Sequence, residues 1–162
     1  MNNEVAKLRG INTVSGKDGY VFMTLNGKRY TLIHLTEIEA TIEMKSGTVE
    51  TLNSAQVGHK PGTLEGKYKG KGFYLWDEIR KAWTDYKAGK GAIPYYTMQI
   101  VNNDTTSAAG RKTTTLYDCL DDSITLAKLA AGEESLSEDI SGTFDDWELP
   151  ETFVDITDGT HK

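Results

Sequence analysis

Hydrophobic and polar residues alternate with a period of two along much of the chain, which is typical of strands with one buried face. The first case follows a turn-forming segment at residues 15–19, where two β-rich runs flank Asn26-Gly27. Asn-Gly between such runs favours a two-residue type I′ turn, so the sequence predicts a β-hairpin here. Residues 1–15 show no comparable pattern and are expected to form a mobile arm.

The clearest alternation covers residues 36–45, where one face carries Ile38, Ala40, Ile42 and Met44 and the other carries Glu37, Glu39, Thr41 and Glu43. A second run covers residues 63–72, where Lys67, Lys69 and Lys71 share a face and the glycines lie on the opposite one. We expect the two charged rows to face each other, because opposite charges across a sheet contribute about 0.2–1 kcal/mol per pair. The lysines therefore form a row along a strand rather than a cluster around a ligand.

The remaining segments complete a mainly β fold. Residues 46–62 break the alternation and predict a long exposed loop, a kind of segment that is usually functional or ordered by a partner. Within residues 74–91 the sequence predicts a helix, with an apolar stripe of Leu75, Ile79, Trp83 and Tyr86 and with Gly89 after its end. Further strands are predicted at 94–103, 112–120, 123–129 and 137–149. Seven or eight strands and one helix indicate a β-sandwich or barrel with the helix packed on it.

Charge is distributed unevenly over the 162 residues, whose net charge is -6. Residues 1–117 contain 16 basic and 11 acidic side chains, whereas residues 118–162 contain 2 basic and 13 acidic ones. An acidic chain lacks the basic surface that binding to duplex DNA requires. The polarity allows the two halves, or two copies of the chain, to attract each other, although a solvated acidic tail is equally compatible with it.

The sequence does not contain a long apolar run or the apolar stretch of a signal peptide, so we expect a protein made and folded in the cytoplasm. Its one cysteine, Cys119, cannot form an intrachain disulfide, which fits a reducing compartment.

No catalytic, cofactor-binding or metal-binding residues are predicted. The glycine-rich segment at residues 62–72 fails the spacing of a phosphate-binding loop. His34, His59 and His161 are scattered without the spacing of metal ligands. A pairing of Cys119 with His34 has nothing in the sequence to orient it, and the acidic doublets lie in loops or at strand ends.

Several segments, taken in order, resemble the tail tube proteins of contractile-tailed phages, in particular the PBSX-like prophage tube family. The resemblance covers roughly residues 12–156, and the order of the segments carries it. They are "NTVSGKDGYVF" (12–22), "VGHKPGTLEGKYKGKGFY" (57–74), "PYYTMQIV" (94–101), "GRKTTTLYDCLDDSITLAKL" (110–129) and "EDISGTFDDWELPETF" (138–153).

The resemblance implies a non-enzymatic structural subunit with a single tail tube domain over residues 1–162 and a β-barrel-like sandwich flanked by one helix. It implies homohexameric rings that stack into a hollow tube, as a conduit for DNA or for envelope puncture inside a contractile sheath. Implied partners are further copies, the sheath, the tape measure, baseplate and tail terminator proteins. DNA would be weakly held cargo, and the subunit would not insert into a membrane. The location would be a virion tail or a tail-like particle, assembled in the bacterial cytoplasm.

Two surfaces are assigned on this basis. The charged sheet face is expected to line the channel through Glu37, Glu39, Glu43, Lys67, Lys69 and Lys71. Loop 46–62 is expected to contact the next ring through Val49, Val57, His59 and Lys60. The arm at 1–15 and this loop are expected to become ordered against neighbouring subunits, and residues 154–162 to form a C-terminal tail.

A monomeric ligand- or carbohydrate-binding β-sandwich module is the alternative. Its aromatic contacts would be Trp76, Trp83, Tyr95 and Tyr96, although core packing of the helix on the sheet explains these side chains as well.

Overall fold

The computed structural model describes residues 7–157, and within them the fold is mainly β with one α-helix, as predicted. A short 3-10 helix (Gly10–Asn12) precedes the first strand. The other elements are β1 (Gly19–Leu25), β2 (Lys28–Thr31), β3 (Leu35–Met44), β4 (Gly47–Val49), β5 (Gly58–Lys60), β6 (Leu64–Phe73), α1 (Glu78–Lys87), β7 (Tyr96–Asn102), β8 (Lys112–Ser123), β9 (Ser137–Phe144) and β10 (Asp146–Glu151). All strands except β4 and β5 belong to one eight-stranded sheet.

The chain forms two compact units, and β8 contributes residues to both. The first unit contains residues 7–33, 96–117 and 147–157, with strand order β2-β1-β7-β8 and β10 paired to β8. Its core is built from alternate residues of these strands, among them Met23, Met98, Val101 and Leu116. The predicted hairpin is confirmed, because Asn26 and Gly27 both have positive φ, at 52° and 77°, between β1 and β2.

The loop between β7 and β8 holds the segment before β1 in place. The carboxylate of the buried Asp104 accepts hydrogen bonds from the Ser15 N–H and from the backbone and hydroxyl of Thr106. Ser107 Oγ donates to the carbonyl of Asn12 at 2.8 Å. Part of the expected mobile arm is therefore fixed to its own unit, whereas residues 1–6 of the arm, and 158–162 of the predicted tail, lie outside the described residues.

The second unit contains residues 34–95 and 118–146, with strand order β8-β9-β6-β3. Its buried side chains include Tyr68, Cys119 and Phe144. The glycines of β6 face this core, as the alternation predicts. A Cβ added to Gly66 would lie 2.5 Å from the ring of Phe144, so the glycine leaves the space that this ring occupies.

Helix α1 begins at Glu78, later than its apolar pattern suggests, and Gly89 follows its end with φ of +70°. The predicted apolar stripe is wrong at its two ends, because Leu75 precedes the helix and Tyr86 is exposed. The buried residues of α1 are Arg80 and Ala82 instead. Arg80 attaches the helix to the unit by hydrogen bonds and an ion pair, which periodicity of apolar residues does not reveal.

Three further expectations need correction. Loop 46–62 contains a small hairpin, because β4 and β5 pair with each other. Residues 124–129 do not form the predicted strand. The Thr125 carbonyl accepts a hydrogen bond from Arg80 Nε instead of from a neighbouring strand, and Leu126 and Leu129 are exposed. The predicted last strand is two strands, β9 and β10, interrupted at Asp145.

Candidate functional site: a charged sheet face and an exposed hairpin

The charged face forms because β3 and β6 are antiparallel neighbours, which confirms the pairing that the two charged rows predict. Glu37 lies opposite Lys71, Glu39 opposite Lys69, and Thr41 opposite Lys67. Directly opposite residues of a pair share one face of a sheet. The carboxylate of Glu39 and the ammonium of Lys69 lie 3.8 Å apart, with both side chains more than half exposed. The predicted charge pairing is therefore confirmed for Glu37 with Lys71 and for Glu39 with Lys69.

Strand β9 extends the charged face on the other side of the lysine row. Lys71 lies opposite Asp139, Lys69 opposite Ser141 and Lys67 opposite Thr143. The lysines of β6 thus occupy the middle strand, with acidic or hydroxyl side chains on both neighbours. Each lysine therefore has a carboxylate or a hydroxyl group opposite it on the neighbouring strands.

Two of the six predicted residues do not face an opposite charge across β3 and β6, because Lys67 lies opposite Thr41 and Glu43 has an acidic partner. Glu43 lies opposite Glu65 rather than a lysine. Two lysines compensate, because Glu65 forms ion pairs with Lys45 at 3.5 Å and with Lys67 at 3.9 Å. The face therefore carries five carboxylates and four ammonium groups, almost balanced and open to solvent. Such a surface lacks the convergent, buried polar groups of a small-molecule site.

The hairpin of β4 and β5 presents the other predicted residues. Thr48 lies opposite His59, and Val49 opposite Gly58. His59 and Lys60 belong to β5, whereas Val57 lies in the segment that joins the two strands. Every residue from Lys45 to Leu64 is exposed, including Val49, Val57 and the almost fully exposed Leu52. The hairpin and the segment between its strands therefore leave the apolar surface of Val49, Leu52 and Val57 open to solvent.

The aromatic residues assigned to a ligand- or carbohydrate-binding module do not form one exposed surface. Tyr96 is 3% exposed and belongs to the core of the first unit. Trp76 stacks on His34 with ring centroids 5.5 Å apart, and Trp83 is only partly exposed on α1. Of the four, Tyr95 alone is exposed, so the structure favours core packing for most of this set.

Cys119 and His34, the pair considered in the sequence as nucleophile and base, are both buried. Cys119 is fully buried in β8. Burial, and after it the charge of Arg80, lowers the pKa of His34. Among residues 7–157 no group of three or more histidine, cysteine, aspartate or glutamate side chains could hold a metal ion. In the same part of the chain, no helix combines the length and apolar character that a membrane span needs.

Sequence reasoning missed a buried polar network around Arg80. Its guanidinium forms an ion pair with Glu138 of β9, donates to the carbonyls of Trp76 and Thr125, and contacts Asp77 at 3.0 Å. It also lies over the ring of Tyr74, 4.5 Å from the centroid. Burial raises the pKa of Glu138, while the charge of Arg80 acts in the opposite direction. In the sequence Arg80 looks like any solvent-facing helical arginine, so no signal distinguishes it.

Comparison with protein families supports the resemblance seen in the sequence. A family model described as "Phage tail tube protein" matches residues 6–151. The chain belongs to the phage tail tube protein family. As a tail tube protein it has a structural role. Its relatives include the phage-like element PBSX protein XkdM of Bacillus subtilis (strain 168), which is 32% identical over 148 residues. The match covers 91% of this chain and 97% of that protein.

Solved structures share the tail tube fold at low sequence identity. The tube-terminating cap of the anti-feeding prophage matches with a TM-score of 0.68 and 10% identity, covering 94% of this chain and 99% of that one. A chain of the sheath-tube complex of the extracellular contractile injection system PVC matches with a TM-score of 0.59 and 9% identity, covering 82% and 88%. At these identities the structures establish the fold of the tail tube protein and nothing finer.

Proposed function

We propose that this chain forms homohexameric rings that stack into a hollow tail tube inside a contractile sheath. The observation that carries the proposal is the family match over residues 6–151 of a mainly β chain. The tube is a conduit for DNA in a phage, or for envelope puncture in a tail-like particle. The assembly takes place in the bacterial cytoplasm and the product is located in the tail of the particle.

The named components of the similar structures support the partners in this proposal. One matched chain comes from a sheath-tube complex, and another from a cap that terminates a tube. By analogy, this chain contacts further copies of itself, a sheath protein and a tail terminator. Tape measure and baseplate proteins complete the set that the sequence resemblance implies.

The charged face is suited to the wall of a channel through which DNA passes. A wall of lysine alone would hold DNA tightly, because each neutralised phosphate releases a counterion. Here the lysines of β6 lie between the glutamates of β3 and the acidic or hydroxyl side chains of β9, so phosphates meet attraction and repulsion on the same face. In our proposal Glu37, Glu39, Glu43, Lys67, Lys69 and Lys71 face the lumen. A tube structure with Glu39 and Lys69 on the side of the sheath would overturn this assignment.

The exposed hairpin is suited to contact between rings. The predicted contact residues are exposed: Val49, Val57, His59 and Lys60. Burial of the two valines on assembly would contribute favourable free energy. In our proposal this hairpin, together with residues of the N-terminal arm, packs against the next ring.

Negative-stain electron microscopy of concentrated protein tests both the assembly into tubes and the role of the hairpin between rings. We expect the wild type to form hollow tubes. Val49→Asp/Val57→Asp is expected to form rings that do not stack, because each aspartate would lose hydration in the contact. Leu126→Asp/Leu129→Asp is the matched control, since these leucines are also exposed but lie outside the hairpin. Tubes from both variants would refute the role of the hairpin, and a wild type that stays monomeric at every concentration would refute self-assembly.

A further inference from the structure

The first unit carries an arginine that is held in place without an acidic partner. Arg29 lies on β2, and the central carbon of its guanidinium lies over the ring of Phe22, 4.0 Å from the ring centroid. Its Nη2 donates a hydrogen bond to Oε1 of Gln99 at 3.2 Å. Within residues 7–157 no carboxylate forms an ion pair with it, although its side chain is exposed.

The sheet fixes the position of this guanidinium. Phe22 of β1 lies directly opposite Gln99 of β7, so the stacking partner and the hydrogen-bond partner stand side by side on one face. Tyr20, two residues along β1, meets the Phe22 ring edge-on at a centroid distance of 5.3 Å. The support for Arg29 therefore consists of residues from two strands of the interior of the sheet.

Stacking on an aromatic ring leaves the edge of a guanidinium free to form hydrogen bonds in its own plane. Gln99 accepts only one of the five N–H groups, and the remaining donors match the geometry of a carboxylate. Because the side chain is already ordered, a partner that binds here loses little additional conformational entropy.

We propose that Arg29 anchors a carboxylate of a second copy of this chain. Charge complementarity favours that occupant, because residues 118–162 carry 13 acidic and only 2 basic side chains, and many of the described acids there are exposed, such as Asp122, Glu134 and Asp145. Strand β2 also pairs only with β1 among the described strands, so Arg29 lies at an edge of the sheet that a neighbour can approach. The proposal rests on self-assembly of the chain and names one contact within it.

Sedimentation of the purified full chain over a concentration series tests the anchor. Arg29→Glu is compared with Lys28→Glu, which makes the same change of charge one residue away, on the opposite face of β2. We expect Arg29→Glu to weaken self-association by about tenfold or more, as the loss of an arginine hot spot does, and Lys28→Glu to change it much less. Equal effects of the two variants, or none, would overturn the anchor.

A second experiment identifies the partner and does not depend on the folding of Arg29→Glu. Arg29→Lys keeps the charge, and a carbodiimide then joins the new amine to any carboxylate in contact with it. We expect an intermolecular cross-link to an acidic residue within 118–162, located by mass spectrometry. Cross-links from position 29 only within one chain, or none at all while other intermolecular cross-links form, would refute the proposal.

The outcomes separate this proposal from the proposed function. Tubes that form from Arg29→Glu as readily as from the wild type would leave the tail tube assembly intact and remove the anchor. Small oligomers that depend on Arg29 but never form rings would support the anchor and contradict the tube. A wild type that does not associate at any concentration would refute both.

Discussion

Single residues decide how closely the strands of the second unit pack. Gly66, Gly70 and Gly142 each lie where a Cβ would approach a neighbouring atom to 2.5 Å or less. At Gly66 the neighbour is the ring of Phe144, which is buried in the core. The ring occupies the space that a side chain at position 66 would need. The same strand carries its charged side chains outward.

Substitution of Gly66 by alanine tests this packing. The added methyl group would force the Phe144 ring to move, and overpacking of this kind costs typically about 1–3 kcal/mol. We therefore expect the free energy of unfolding in urea to fall by that amount in Gly66→Ala. Gly132→Ala is the control, because a Cβ there would meet no atom within 4 Å. A variant at position 66 as stable as the control would show that the core accommodates the methyl group.

The lowered pKa of His34 makes the stability of the fold depend on pH. Its pKa is lowered from 6.5, first by burial and then by the charge of Arg80, so the folded state disfavours the proton that the unfolded chain accepts. The stabilising contribution is present above pH 6.5 and is lost as the pH falls through and below that value. The raised pKa of Glu138 acts with the opposite sign in the acid range, because the folded state binds that proton more tightly.

We expect the free energy of unfolding of the wild type, measured relative to His34→Gln, to decline between about pH 7.5 and about pH 5.5. Comparison with the variant removes the contribution of Glu138, which is common to both proteins. His59→Gln serves as the control, since His59 is exposed on the hairpin. Parallel curves for the wild type and His34→Gln would contradict the prediction.

At the scale of elements, α1 depends on Arg80 for its attachment more than on an apolar stripe. The guanidinium links the helix to β9 through Glu138 and to residue 125 through a carbonyl. Removal of one partner from a buried ion pair leaves the other charge without compensation, which costs about 3–5 kcal/mol. We expect Arg80→Ala to lose stability in that range.

Urea unfolding, followed by tryptophan fluorescence, measures this loss, since Trp83 lies on the helix itself. Lys81→Ala is the matched control: its ion pair with Glu78 is largely exposed and should contribute less than about 1 kcal/mol. If both variants lost equally little, α1 would be held by its apolar contacts alone.

The strand pairing of β3 and β6 could be predicted from the sequence, because each strand shows its charged row and its alternation of period two within about ten consecutive residues. The turn at Asn26-Gly27 was predictable for the same reason, since its conformation is a property of two residues. Arg80 and residues 124–129 could not be predicted, because their structure depends on contacts between residues about 45 positions apart. The hairpin within 46–62 was missed because its strands have three residues each, too few for a period to show.

For the whole molecule, our proposal that the charged face lines the channel predicts that its balance of charge limits the affinity for DNA. Glu37→Lys/Glu39→Lys/Glu43→Lys leaves a surface dominated by lysine, so we expect duplex DNA to bind at least about tenfold tighter at low salt, with a steep dependence on salt concentration. Fluorescence anisotropy with a short labelled duplex measures this.

The control for that experiment makes an identical change of net charge elsewhere. Glu50, Glu133 and Glu134 are exposed and do not belong to the charged face, so their replacement by lysine isolates the effect of location. Equal DNA affinity in the two triple variants would show that net charge, and not the face, governs binding.

The outer edge of β3 has a consequence for the subunit before it assembles. Among the described strands β3 pairs with β6 alone, and its ten residues contain no proline that would block the addition of a further strand. Such an edge is a template for fibrillar aggregation, and the glutamates along it oppose that process because stacked identical chains would bring like charges together. The same glutamates that our proposal places on the channel wall therefore also oppose the stacking of free subunits into fibrils.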